Sequence, residues 1–153
     1  MIVEGSAAPD FTRHGGDGAP LRLGVFSGRK LVVYFYPKDD TSGCTREAID
    51  FSALIGRFEK VGTAVLGVSK DSVKSHAKFT AKHGLKVLLG SDPEGRMLES
   101  YGVWVEKSMY GRKYMGIGRA TFLIAADGKV ARVWRKVKVP GHAEAVLAAA
   151  EAL

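Results

Sequence analysis

The feature that most constrains this chain is a pair of short apolar runs, each followed by a segment with helical spacing. The first, LVVYFY from Leu31 to Tyr36, presents no polar face, so it predicts a strand buried on both sides of a sheet. Behind it, Ala48, Phe51, Leu54, Ile55 and Phe58 share one helical face and predict a helix from about Gly43 to Lys60. The second run, TAVLGVS from Thr63 to Ser69, precedes a helix predicted from about Ser72 to His83, with Gly84 as its C-terminal cap. Strands joined through helices in this way pair in parallel.

A short strand over Val87 to Leu89 follows, then a short helix with Asp92 as cap, Pro93 at its first position and Gly102 beyond its end. ATFLIA (Ala120 to Ala125) and KVARVWRKVKV (Lys129 to Val139) flank Asp127-Gly128, a dipeptide that favours an antiparallel hairpin. GHAEAVLAAAEAL reads as a closing helix. Between Gly102 and Arg119 the pattern is irregular, and Trp104, Met109, Tyr110 and Met115 are read there as a packed loop. IVEGSAAPDF and PLRLGVF suggest an N-terminal hairpin, with HGGDGAP (His14 to Pro20) as a loop within the domain. No repeat or linker interrupts the series, so residues 1–153 are read as a single domain. The fold class is α/β, a mixed central sheet flanked by helices. A parallel βαβ unit followed by a hairpin and a helix is the order of a thioredoxin-like fold, here with an N-terminal extension.

Lysine and arginine number 23 against 16 acids, a net charge of +7. The excess is dispersed. Its densest stretch sets Val133, Val137 and Val139 against Arg132, Trp134, Lys136 and Lys138, which predicts a half-exposed strand with a solvated face rather than a nucleic-acid site. No apolar run approaches the ~20 residues that span a bilayer, and MIVEGSAAPD lacks the basic start and apolar core of a signal peptide. A cytoplasmic location with no membrane partner is expected. His14, His76, His83 and His142 include no i, i+4 zinc pair, and the glycines from Gly15 to Gly18 form no phosphate loop, so neither metal nor cofactor is expected. His76 and His83 are read as exposed helix residues.

With one cysteine, Cys44, the chain forms no internal disulfide, and that thiol is either an inert core residue or a reactive one. Its surroundings favour reactivity. Pro37-Lys38-Asp39-Asp40-Thr41-Ser42-Gly43-Cys44-Thr45-Arg46-Glu47 runs from the end of a buried strand into the first turn of a helix, where free N–H groups and the helix dipole stabilise a thiolate. Thr41 and Ser42 suit the N-cap, and the Thr41 hydroxyl, three positions before the sulfur, is expected to donate to it or to a bound oxygen. Pro37 is expected to end the strand and shield the site from water.

Pro37, Thr41 and Cys44 also reproduce the P-x-x-x-T-x-x-C signature of peroxiredoxins. FYPKDDTSGCTREA, YGVWVEKSMYGRKYMGIGRATFLIAADGKV and RKVKVPGH resemble the bacterioferritin-comigratory-protein or peroxiredoxin Q branch of that AhpC/TSA family over nearly the whole chain. The resemblance implies that Cys44 is the peroxidatic cysteine and that Arg119, just before TFLI, stabilises the thiolate and the charge that develops on the departing oxygen. It also implies that Glu47 orients neighbouring groups; an exposed first-turn glutamate is the competing reading.

The chain departs from its family in one respect. Many peroxiredoxin Q proteins carry a resolving cysteine five residues after the first, where this chain has Ile49, and Ser72 to His83 has none. With no second thiol in the chain a one-cysteine cycle is expected: hydrogen peroxide or an alkyl hydroperoxide oxidises Cys44 to a sulfenic acid, and an external thiol, from thioredoxin, glutaredoxin, glutathione or Cys44 of a second subunit, resolves it. A monomer and a weak homodimer both fit. The alternatives are a non-catalytic thiol redox sensor or binding protein, and a thioredoxin-like disulfide reductase, which the missing C-x-x-C disfavours.

Overall fold

The computed structural model describes residues 2–15 and 18–153. Its strands are β1 (Thr12–Gly15), β2 (Pro20–Arg22), β3 (Lys30–Phe35), β4 (Thr63–Ser69), β5 (Leu88–Ser91), β6 (Trp104–Met109), β7 (Arg112–Ile117), β8 (Ala120–Ile124) and β9 (Val130–Trp134). Its helices are α1 (Ser42–Ala53), α2 (Ile55–Lys60), α3 (Val73–His83), α4 (Arg96–Ser100) and α5 (His142–Ala152). Seven strands form one mixed sheet in the order β2-β1-β5-β4-β3-β8-β9, while β6 and β7 form a separate two-stranded ribbon. β3 runs parallel to β4 and β4 to β5, whereas β8 lies antiparallel to β3 and β9 to β8. This is the mixed sheet flanked by helices that the element order predicts.

The two-sided burial of β3 follows from its sequence. Leu31, Val33 and Phe35 join Leu66, Val68, Leu98, Tyr101 and Phe122 on one face. Val32, Tyr34 and Tyr36 join Phe51, Phe58, Phe79, Val146 and Leu147, from the helices, on the other. Gly67 of β4 has a specific reason to be glycine: a Cβ there would meet Tyr34 Cζ at 2.6 Å, because the tyrosine ring lies directly over the glycine.

Several expectations are corrected. The helix expected from Gly43 to Lys60 breaks at Leu54, which has φ −100° and ψ 3°. Seven residues of unbroken helix rise about 10 Å, yet the Phe51 and Phe58 rings lie 6.0 Å apart, so the break brings both into one core. Asp92 does not cap α4, whose N-cap is Gly95 at φ 77°. Instead its carboxylate accepts from the Leu98 N–H at 2.9 Å and pairs with Arg13 at 2.8 Å. The N-terminal hairpin is formed by β1 and β2, which take in His14, Gly15 and Pro20 of the expected loop, while Gly16 and Asp17 lie outside the described residues. IVEGSAAPDF instead runs beside the start of β9, with Ala7 bridged to Lys129.

The expected strand from Lys129 to Val139 ends at Trp134, after an irregularity in register opposite Leu123 and Ile124, and Lys136 has a positive φ of 51°. Trp134 is half-buried, edge-on to His142 at 5.8 Å and beneath Arg132 at 4.7 Å. The stretch read as a packed loop is the β6-β7 hairpin. Tyr110 and Gly111, at its turn, both have positive φ, and Met109, Tyr110 and Met115 are exposed. No described helix is long and apolar enough to cross a membrane.

Candidate active site

Cys44 lies in the first turn of α1, where backbone N–H groups lack intrahelical acceptors, and is 2% exposed. It belongs to the apolar cluster with Ala48 and Phe51, so it packs as well as faces a charge. That charge is Arg119. Phe35 of β3 faces Ala120 of β8, so the residue before Ala120 emerges at the carboxyl end of β3, beside the loop leading into α1. The Arg119 guanidinium donates through Nη2 to Cys44 Sγ at 3.3 Å and through Nη1 to Glu47 Oε1 at 2.6 Å. Cys44, Glu47 and Arg119 are therefore brought together.

Glu47 is 1% exposed, which corrects the competing reading of an exposed first-turn acid. Its Oε2 is buried without a hydrogen-bond partner among the described residues. Burial raises its carboxyl from the ordinary 4.5 to about 7, against the lowering pull of Arg119. Burial also acts to lower the Arg119 pKa, but Glu47 and Cys44 outweigh it and the net shift is upward, so the guanidinium stays charged. His142, in the first turn of α5 and 2.8 Å from Thr121 Oγ1, is lowered to about 4 by burial and by Arg119 and is neutral.

The raised Glu47 value has a consequence for stability. A carboxyl with a folded value above its unfolded one contributes most when protonated, below pH 4.5, and that contribution is lost as pH rises through about 7. Urea unfolding of the native protein is expected to show stability falling across this window, and Glu47→Gln is expected to flatten that part of the profile.

Thr41 is placed differently from its expected role. Thr41 sits at the N-cap with φ −90° but makes no side-chain cap bond; its hydroxyl donates to Lys38 O at 2.8 Å rather than to the sulfur. Pro37 follows the strand end as expected and is exposed. Ile49, at the position where the resemblance looks for a resolving thiol, is 40% exposed. A groove of about 420 Å³ lined by Leu31, Ile124 and Asp127 opens at the opposite end of β3 from Cys44 and belongs to a different region.

Sequence reasoning missed the residues that hold the motif loop. His76 is fully buried, not exposed, and its Nδ1 lies 2.7 Å from Asp39 Oδ2. His83 is only partly exposed and pairs with Asp40 at 2.8 Å. The one signal available was the succession of two aspartates before the threonine, since acids beside a strand end need partners. Asp39, Asp71 and His76 bring ligand-type atoms within 4.8 Å of one another, but each is engaged by protein groups, as a hydrogen-bond network.

The sequence profile of the AhpC/TSA family matches residues 5–133. The chain belongs to this family and is a peroxiredoxin. Peroxiredoxin Bcp of Xanthomonas campestris pv. campestris is 51% identical over 135 residues, covering 88% of this chain and 84% of that protein. A structure of Xanthomonas campestris peroxiredoxin Q superposes with a TM-score of 0.91 at 47% identity, covering 99% of this chain and 96% of that one. A structure of that organism's bacterioferritin comigratory protein, from work on its alkyl peroxide reduction activity in trapped intermediate and ligand complexes, superposes equally well at 46% identity, covering 99% and 97%. Serine variants at two different cysteines are known for the Xanthomonas peroxiredoxin Q, so it has at least two where this peroxiredoxin has one.

Proposed function

We propose that this peroxiredoxin reduces hydrogen peroxide and organic hydroperoxides through Cys44 and is restored by an external thiol. The observation that carries the reading is the Arg119 guanidinium bridging Cys44 Sγ and Glu47 Oε1. The sulfur anion attacks one peroxide oxygen, the O–O bond breaks, and the departing oxygen takes a proton to leave as water or an alcohol. Cys44 then carries a sulfenic acid. An incoming thiol condenses with it, releasing water and leaving a mixed disulfide, and a second thiol displaces Cys44 in reduced form. Arg119 stabilises the sulfur anion and the departing oxygen, and Glu47 holds Arg119. Thr41 supplies a hydroxyl to the bound oxygen after release from Lys38 O, while Pro37 stiffens the entry.

The resolving thiol comes from another molecule, thioredoxin, glutaredoxin, glutathione or Cys44 of a second subunit, because a chain with one cysteine cannot close its own disulfide. Residues 1–153 act as one domain, as a monomer or weak homodimer. A cytoplasmic location agrees with this cycle, since glutathione and thioredoxin keep thiols reduced there. Intact mass spectrometry after brief peroxide exposure with a sulfenic acid trap tests the reading. A trapped adduct is expected on the native chain and none on Cys44→Ser. Repetition with each candidate reductant identifies the one that removes the oxygen; an unmodified native chain would refute the reading.

A further inference from the structure

The loop between β3 and α1 carries two consecutive aspartates, and α3 grips both. Asp39 is 7% exposed and accepts from Tyr36 Oη at 2.6 Å, from Ser75 Oγ at 2.8 Å and from His76 Nδ1 at 2.7 Å, while its backbone N–H donates to Asp71 at 2.9 Å. Asp71 is held in turn by Ser69 Oγ at 2.6 Å. Asp40, with a positive φ of 59°, is paired with Lys82 at 2.7 Å and His83 at 2.8 Å. Left-handed backbone is costly for a residue with a side chain, so this turn keeps its shape only while its neighbours enforce it. The ring of His76 is fixed at its far end, where Nε2 lies 3.1 Å from Gly90 O of β5.

We infer that His76 is a positioning residue for the thiol: anchored to Gly90 and bonded to Asp39, it fixes the turn that sets Cys44 against Arg119. Its two ring nitrogens reach oxygen atoms on opposite sides, so the ring bridges the sheet to the loop. Thr41 and Cys44 follow this turn directly, and a displacement of about 1 Å in such a constellation costs up to about 100-fold in rate. His76 touches neither sulfur nor peroxide and acts through Asp39.

The inference rests on the peroxidase reading, so its test has two readouts. The first is the second-order rate constant of Cys44 with hydrogen peroxide. It is expected to fall at least about tenfold in His76→Phe, with His76→Gln, which keeps a donor toward Asp39, recovering most of the loss. Ser75→Ala, a milder removal of one bond to the same oxygen, is expected to lose about two- to fivefold. The second is alkylation of Cys44 by iodoacetamide in native buffer, which needs no peroxide chemistry and is expected to quicken in His76→Phe as the turn loosens over the buried sulfur. If His76→Phe and Ser75→Ala both match the native protein in peroxide rate and alkylation, or if glutamine is no better than phenylalanine, the inference is wrong. A native protein inert to peroxide would instead overturn the peroxidase reading, leaving alkylation to decide the positioning role.

Discussion

Replacing Arg119 with alanine is expected to slow the reaction of Cys44 with hydrogen peroxide by about 100- to 1,000-fold, the effect of removing one preorganised donor from a site of developing charge. Two losses combine. The 3.3 Å donor to Cys44 Sγ disappears, and Glu47, 1% exposed and bonded to Arg119 at 2.6 Å, is left without its cation. Arg119→Lys is expected to recover little, because a single ammonium cannot hold a sulfur and a carboxylate through two nitrogens of one plane. Stopped-flow oxidation of the reduced proteins measures this directly. A variant within tenfold of native would show that the helix terminus alone activates the sulfur.

The largest effect on stability is expected at Phe51. It is completely buried on α1, stacked on Tyr34 at 4.7 Å, 6.0 Å from Phe58 and edge-on to His142 at 6.0 Å. Phe51→Ala is expected to cost about 3–5 kcal/mol, against roughly 5–15 kcal/mol for a whole domain. At this chain length that lowers the melting temperature by roughly 6–20 °C. Since Phe51 packs in the same cluster as Cys44, the helix that carries the sulfur loses its main support. Thermal denaturation followed by circular dichroism checks it; a shift below about 3 °C would mean the site collapses around the smaller residue.

The sheet and the thiol turn were legible in the sequence because both rest on local patterns. LVVYFY has apolar residues for both faces of β3, and the step from Pro37 to Cys44 joins a strand end to a helix start. Arg119 was different: 75 positions separate it from Cys44, and only the family resemblance linked them. The β6-β7 hairpin escaped because its ribbon leaves much of both faces exposed, so no alternation marks it, and Tyr110-Gly111 is not a usual type I′ pair. His76 escaped for a related reason. Between lysines on α3 it looks solvent-facing, and it is Asp39, 37 positions earlier, and the Gly90 carbonyl that make its burial tolerable.

The central claim is that one sulfur, activated by Arg119, takes oxygen from a peroxide and depends on a thiol from outside the chain. The most direct measurement is the amount of hydrogen peroxide consumed per mole of reduced protein, first alone and then after addition of thioredoxin, glutaredoxin or glutathione. One equivalent followed by arrest, with consumption resuming when the right thiol is supplied, is the predicted result. Steady consumption by the protein alone, or none at all under either condition, would contradict it.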